Sequence, residues 1–261
     1  MKASMYSADG KAVREVELPA AFAEQVREDL IKRAVLSDYS YEFQPKGNYK
    51  WAGMETSARY RGRKEDYGSI KNHGIAMLPH EVLPKGKFGK VKRIPSAVKG
   101  RRAHPPNPGK ILIERVNKKE YAKALRSAIA ATASISFVKK RGHKFESKSL
   151  PIIFDASFEK VSKAKDVVKA LNAVGIGADL ERAKKPKLRS GIRARGGGKV
   201  YPRSALIVTG ADSPLLRAAR NIAGVDAVRA GSLKAKLLAP GAHCGRLTIY
   251  TESALGEISK M

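Results

Sequence analysis

Four small constellations in this sequence could carry catalytic or ligand chemistry, and the surrounding residues decide each one. Gly175-Ile-Gly177 has the spacing of a loop that cradles a dinucleotide pyrophosphate. That loop must follow a strand and needs a third glycine, whereas this one follows a helical pattern and has Leu180 in the third position. Gly196-Gly197-Gly198-Lys199 suggests a phosphate loop, but the earlier glycine is Arg193 and the residue after the lysine is Val200 in place of Ser or Thr. The histidines His73, His80, His104, His143 and His243 form no helical i, i+4 pair around a carboxylate and no cluster with metal-ligand spacing. His243-Cys244 is adjacent in a Pro-Gly turn, while a nucleophile and its base normally come from separate elements. No enzyme, cofactor or metal is expected.

What survives is chemistry aimed at phosphate. The 261 residues carry 52 Lys+Arg against 24 Asp+Glu, a net charge of +28 that self-repels unless a polyanion neutralises it. The charge is unevenly placed. Residues 44–110 carry +12, residues 137–148 carry +4 and residues 182–203 carry +9, so 101 residues hold +25 and the other 160 hold +3. The segment 182–203 has nine basic residues and no acid, whereas solvated faces normally mix signs. Its glycines allow close backbone approach to a phosphate chain, and Arg supplies bidentate recognition where Lys supplies a point charge.

The candidate nucleic-acid contacts are therefore Lys46, Lys50, Trp51, Arg59, Arg61, Arg63, Lys64, Lys85, Lys87, Lys90, Lys92, Arg93, Lys99, Arg101, Arg102 and His104 in the first segment. Lys139, Lys140 and Arg141 follow in the second, and Lys184, Lys185, Lys187, Arg189, Arg193, Arg195 and Lys199 in the third. Trp51, Tyr49, Tyr60, Tyr67 and Phe88 interleave with these cations. They either anchor the segment on the protein or stack on bases and sugars, and the surrounding charge favours stacking.

The elements that must position these residues divide in the same way. Gly and Pro punctuate 44–110 too often for a helical or strand period to survive, so this stretch reads as a long irregular excursion that orders on a partner. The rest of the chain, 1–43 with 111–261, reads as one α/β domain: a mostly parallel sheet flanked by helices, with the basic loop inserted after the first helix and a second basic loop at 182–203. Strands are expected at Lys2–Tyr6 and Ala12–Leu18 across an Asp9-Gly10 turn, then at Ile152–Phe154, Ala205–Val208 and Leu247–Tyr250, with weaker candidates at Ala227–Arg229 and Ile176–Leu180. Helices are expected through Phe22, Val26, Leu30 and Ala34; behind an Asn117/Glu120 capping box; through Phe158, Val161, Val168 and Leu171; through Leu215, Leu216, Ala219 and Ile222; and over Glu252–Ser259. The single cysteine, Cys244, excludes an internal disulfide and fits a reducing cytosol, and the chain has neither a run of eighteen apolar residues nor the apolar core of a secretory signal.

Five segments in order resemble the archaeal form of the family of the fourth large-subunit ribosomal protein. They are Arg93–Pro106, Arg126–Ala133, Arg141-Gly-His143, Ala219–Asp226 and Leu238–Leu255, and the resemblance extends over nearly the whole chain. Ala242 stands where the family pattern has a second glycine. The resemblance implies a cytoplasmic protein of the large ribosomal subunit that binds 23S-type rRNA early in assembly. It implies that the long loop threads the rRNA, with Lys99, Arg101, Arg102 and His104 contacting it on the return arm. It further implies that the loop tip, placed by position at Arg59, Tyr60, Arg61, Arg63 and Lys64, lines the exit tunnel beside the other tunnel-wall protein and the nascent chain. Glu65-Asp66 and Met77–His80 have no counterpart in that pattern. The alternatives are a nucleotide-dependent α/β protein with a basic substrate channel, which needs the phosphate-cradling loop not found above, and a non-ribosomal RNA-binding or regulatory protein. No membrane partner is expected.

Overall fold

The chain opens with an antiparallel pair, β1 (Lys2–Tyr6) and β2 (Ala12–Glu17), turned by Gly10. Helix α1 (Glu28–Ser40) follows, and then a hairpin of β3 (His80–Val82) and β4 (Phe88–Val91) lies within the long basic segment. Next come α2 (Lys118–Ala133), α3 (Ile135–Lys140), β5 (Ile152–Phe154), α4 (Ala164–Ala173) and α5 (Gly177–Lys184). A second small hairpin pairs β6 (Lys187–Leu188) with β7 (Lys199–Val200). The chain then runs through β8 (Leu206–Thr209), α6 (Pro214–Arg220), β9 (Asp226–Arg229), α7 (Ala235–Leu238), β10 (Thr248–Thr251) and α8 (Glu252–Ile258). The computed structural model describes residues 1–147 and 149–260, with the side chains of 192–194 outside the described set.

Two units result: Met1–Glu42 with Ile113–Met261, and Phe43–Leu112. In the first, a six-stranded sheet has the order β2-β1-β5-β10-β8-β9, antiparallel only between β1 and β2. Strands β5, β8 and β10 are buried along their whole length, as central strands covered on both faces must be. Their side chains alternate between two cores. Ile153, Leu206, Val208 and Tyr250 pack with α1, α2, α7 and α8. Ile152, Phe154, Ile207 and Ile249 pack with α4, α5 and α6.

The departures from expectation have local causes. The first helix does not run through Phe22, which sits in a 3-10 turn at Ala20–Ala23. The chain stays extended at Arg27 because its N–H donates to Ser127 Oγ at 2.7 Å and that hydroxyl donates back to Gln25 O at 3.0 Å. Ile176–Leu180 is helix rather than strand, with Asp179, Leu180 and Ala183 turned inward at helical spacing. Phe158 and Val161 belong to a 3-10 turn at Ala156–Lys160 and its exit, and Asp155 caps that turn by accepting from Ala156 N at 2.7 Å. Ile222 lies beyond the end of α6. Asn117 is the N-cap of α2, but its side chain makes no capping bond, and Glu120 instead pairs with Arg33 at 3.0 Å.

The basic segment is also more ordered than its composition implies. Ala58, Ile70 and His80 are buried in the second unit. Arg59 N donates to His80 O at 3.1 Å and Ile70 N to Arg61 O at 3.0 Å, while the His80 ring nitrogens lie 3.0 Å from Gly89 O and 2.9 Å from Ala76 O. The unmapped Met77–His80 stretch therefore feeds a small structural nucleus. The β3–β4 connection passes through Pro84-Lys85-Gly86, with Lys85 and Gly86 at positive φ.

Candidate nucleic-acid interface

Building the interface residue by residue separates free cations from those the fold consumes. In Phe43–Leu112, Lys46, Lys50, Arg59, Arg63, Lys64, Lys85, Lys87, Lys90, Arg93, Lys99, Arg101, Arg102 and His104 are exposed, and Arg61 and Lys92 are half-buried. Among the described residues, no Lys or Arg of this unit forms an ion pair with an acid. Three of them spend donors on backbone carbonyls: Arg61 on Tyr67 at 3.2 Å, Lys92 on Val98 at 3.1 Å and Arg93 on Ala58 at 3.3 Å. Lys85, Arg93 and Lys99 hold φ of 60°, 73° and 57°, a left-handed backbone that costs energy for side-chain-bearing residues and concentrates at functional positions.

The aromatics divide as well. Tyr67 is 91% exposed, and Tyr49, Trp51 and Tyr60 are exposed too, with Lys50 Nζ 5.7 Å from the centre of the Trp51 ring. Phe88 instead packs edge-on against His80 at 6.1 Å and anchors the nucleus.

In the first unit, Lys139 is exposed and Lys140 reaches Glu28 at 3.7 Å. Arg141 is half-buried and donates to Pro240 O at 2.7 Å and to His243 O. Lys184 sits on α5 and pairs with Glu181 at 2.6 Å. Lys185, Lys187, Arg189, Arg195 and Lys199 are exposed on and around the β6–β7 hairpin, where Arg189 N donates to Gly198 O at 2.8 Å. The Arg193 side chain lies outside the described residues.

The two arginines flanking that hairpin are structural, and sequence reasoning did not distinguish them. Arg203 grips Asp226 with Nη1 2.7 and 2.9 Å from the two carboxylate oxygens. Arg182 Nε donates to Asp179 at 2.9 Å. Asp179 is buried and also accepts from Ser204 Oγ at 2.5 Å, His143 Nδ1 at 3.1 Å and Lys144 N at 3.0 Å. Burial by itself raises its pKa, but the bonds from His143, Arg182 and Ser204 outweigh that and hold the carboxyl well below the usual carboxylate range. Arg246 is fully buried, with Nε donating to Ser204 O at 2.8 Å and Nη2 2.7 Å from Asp226; burial pulls its pKa down to about 10. Nothing in a chain this basic marks one arginine as internal.

The carboxyl ends of β5, β8 and β10, where doubly wound sheets hold ligands, are occupied by Glu159. Its Oε1 accepts from Thr251 Oγ1 at 2.6 Å, from Gly210 N at 3.2 Å and from Ser253 Oγ. Among the described residues no group of His, Cys, Asp and Glu could hold a metal ion, and no helix is long and apolar enough to cross a membrane.

The model of the ribosomal protein L4/L1 family matches residues 16–261. The large ribosomal subunit protein uL4 of Methanocaldococcus jannaschii is 47% identical over 267 residues, covering 100% of this chain and 99% of that protein. The uL4 proteins of Methanoculleus marisnigri and Archaeoglobus fulgidus are 47% and 43% identical over 262 and 257 residues. With a family match over nearly its full length and archaeal relatives of the same extent, this chain belongs to the ribosomal protein L4/L1 family, non-enzymatic structural constituents of the large ribosomal subunit.

Proposed function

We propose that the unpaired cations of residues 44–110 and of the β6–β7 hairpin bind large-subunit rRNA, and that the protein joins the subunit early in assembly. One observation carries this reading: no Lys or Arg of Phe43–Leu112 is neutralised by an acid among the described residues. Unpaired surface cations release counterions when they meet phosphates, which gives strong, salt-sensitive binding with little sequence information. Specificity then comes from the shape of one folded RNA path. The segment 44–110 acts as the rRNA-penetrating loop. Arg59, Tyr60, Arg61, Arg63 and Lys64 lie toward the exit tunnel, near the nascent chain and a second tunnel-wall protein. The nucleus of Ala58, Ile70 and His80 gives that end of the loop a fixed shape.

Ultraviolet crosslinking of purified large subunits, read by mass spectrometry, tests the assignment. Crosslinks to rRNA are expected at 46–64, 85–104 and 185–199. Crosslinks confined to α4, α6 and α8 would contradict it.

A further inference from the structure

A cleft of about 600 Å3 is lined from two places in the fold. Arg189, Lys199 and Val200 come from the β6–β7 hairpin and its flank, and Arg220 through Asp226 come from the end of α6 and the turn into β9. Arg189 and Lys199 belong to the basic run 182–203, whereas composition gives the stretch Ala219–Asp226 no role. The fold brings the two stretches to one concave surface.

Charge on that surface is one-sided. Asp226 is the single acid that lines the cleft among the described residues, and Arg203 and Arg246 each hold it at 2.7 Å. Arg189, Lys199 and Arg220 remain. All three are exposed, and among the described residues none of their side chains makes an ion pair or a hydrogen bond. A concave wall of one sign focuses its field on whatever enters. Val200, Ile222 and Ala223 add apolar surface, which a sugar or a base edge can cover and a bare inorganic anion cannot.

The cations are held differently. Arg220 closes α6, whose Leu215, Ala218 and Ala219 are buried in the core. The hairpin has strands of two residues each, and Lys187, Leu188, Lys199 and Val200 are all exposed. Arg220 is therefore the donor with a packed element behind it.

We propose that this cleft holds the phosphate backbone of one unpaired RNA strand, with Arg220 on the body and Arg189 and Lys199 on the hairpin contacting its phosphates. Single strands are held by positively charged grooves that track the backbone, and the forked guanidinium of Arg220 matches a phosphate. The inference rests on the rRNA-binding reading above and changes the hairpin's part in it. The hairpin is one wall of a two-walled clamp rather than a free basic arm, and α6 supplies a contact from outside the basic segments.

The probe is a short oligouridylate carrying 4-thiouridine, crosslinked to the full chain by ultraviolet light and mapped by mass spectrometry. Crosslinks are expected within 220–225 as well as within 185–200. Arg220→Gln should remove the first set. It should also make the slope of log affinity against log salt shallower by about 0.7, the value for one phosphate contact on a single strand. Arg220→Lys should restore the slope. Arg217→Gln changes the same last turn of α6 outside the cleft lining and should leave crosslinks and slope as they are, which separates a local contact from a general loss of charge. Crosslinks on the hairpin with none at 220–225, or equal effects of Arg217→Gln and Arg220→Gln, overturn the clamp. Salt-sensitive binding of an rRNA fragment by the same preparation then leaves the proposed function standing. Binding of that fragment with no salt dependence defeats the proposed function and the clamp with it.

Discussion

Asp179 ties the loop after α3 to α5 and to the segment leading into β8, through His143, Arg182 and Ser204. That tie makes the body acid-sensitive in a defined direction. The His143 pKa is pushed down chiefly by burial, against the raising effect of Asp179 and with smaller lowering contributions from Arg182 and Arg141. The unfolded histidine, near 6.5, therefore takes up a proton before the folded one does. This part of the stability is whole above about pH 6.5 and is lost as pH falls toward the folded value. Asp179, whose folded pKa is lowered, adds a further loss below about pH 4. Urea unfolding from pH 7.5 to 5 should show stability falling with acid, and His143→Gln should flatten that slope; equal slopes would remove His143 from the account. At this scale the sequence is least legible. Arg246 inside the fold and Arg189 outside it look the same in a chain with 52 basic residues, because burial is decided by carbonyls and carboxylates distant along the chain.

Elements were legible where a hydrophobic period met no tertiary competitor. The strands β5, β8 and β10 and the helix after β10 show in the sequence because continuous apolar runs have one place to go, the covered centre of a parallel sheet. Helix α5 did not show, because Ile176 and the glycines around it read as strand and turn, whereas buried Asp179 is polar and broke the apolar count. The turn before β10 offers a direct check on how backbone conformation constrains sequence. Ala242 adopts φ 66° directly after Gly241 at φ 74°. A left-handed conformation costs a residue with Cβ about 1–2 kcal/mol, while glycine's extra freedom in the unfolded chain costs about 0.5–1 kcal/mol. Ala242→Gly is therefore expected to stabilise the protein by about 0.5–1 kcal/mol, measured as a higher urea midpoint at unchanged m-value. A lower midpoint would show that the left-handed turn carries no strain.

For the molecule as a whole, the division of charge is the feature that the sequence states most plainly and the structure interprets. The α/β body pairs several of its charged groups, as Arg203–Asp226, Arg182–Asp179 and Arg246–Asp226 show. Among the described residues, the segment Phe43–Leu112 leaves its Lys and Arg without acidic partners, and it folds a small nucleus around Ala58, Ile70 and His80. The sequence could not reveal that nucleus, because three buried residues spread over 23 positions leave no period. If these unpaired cations meet phosphates, the salt dependence of RNA binding reports it. Binding of a large-subunit rRNA fragment is compared for the natural chain and for the triple variant Lys99→Gln, Arg101→Gln, Arg102→Gln. If each residue neutralises one phosphate, the slope of log affinity against log salt becomes shallower by about 2–3 in the variant. An unchanged slope would contradict the account.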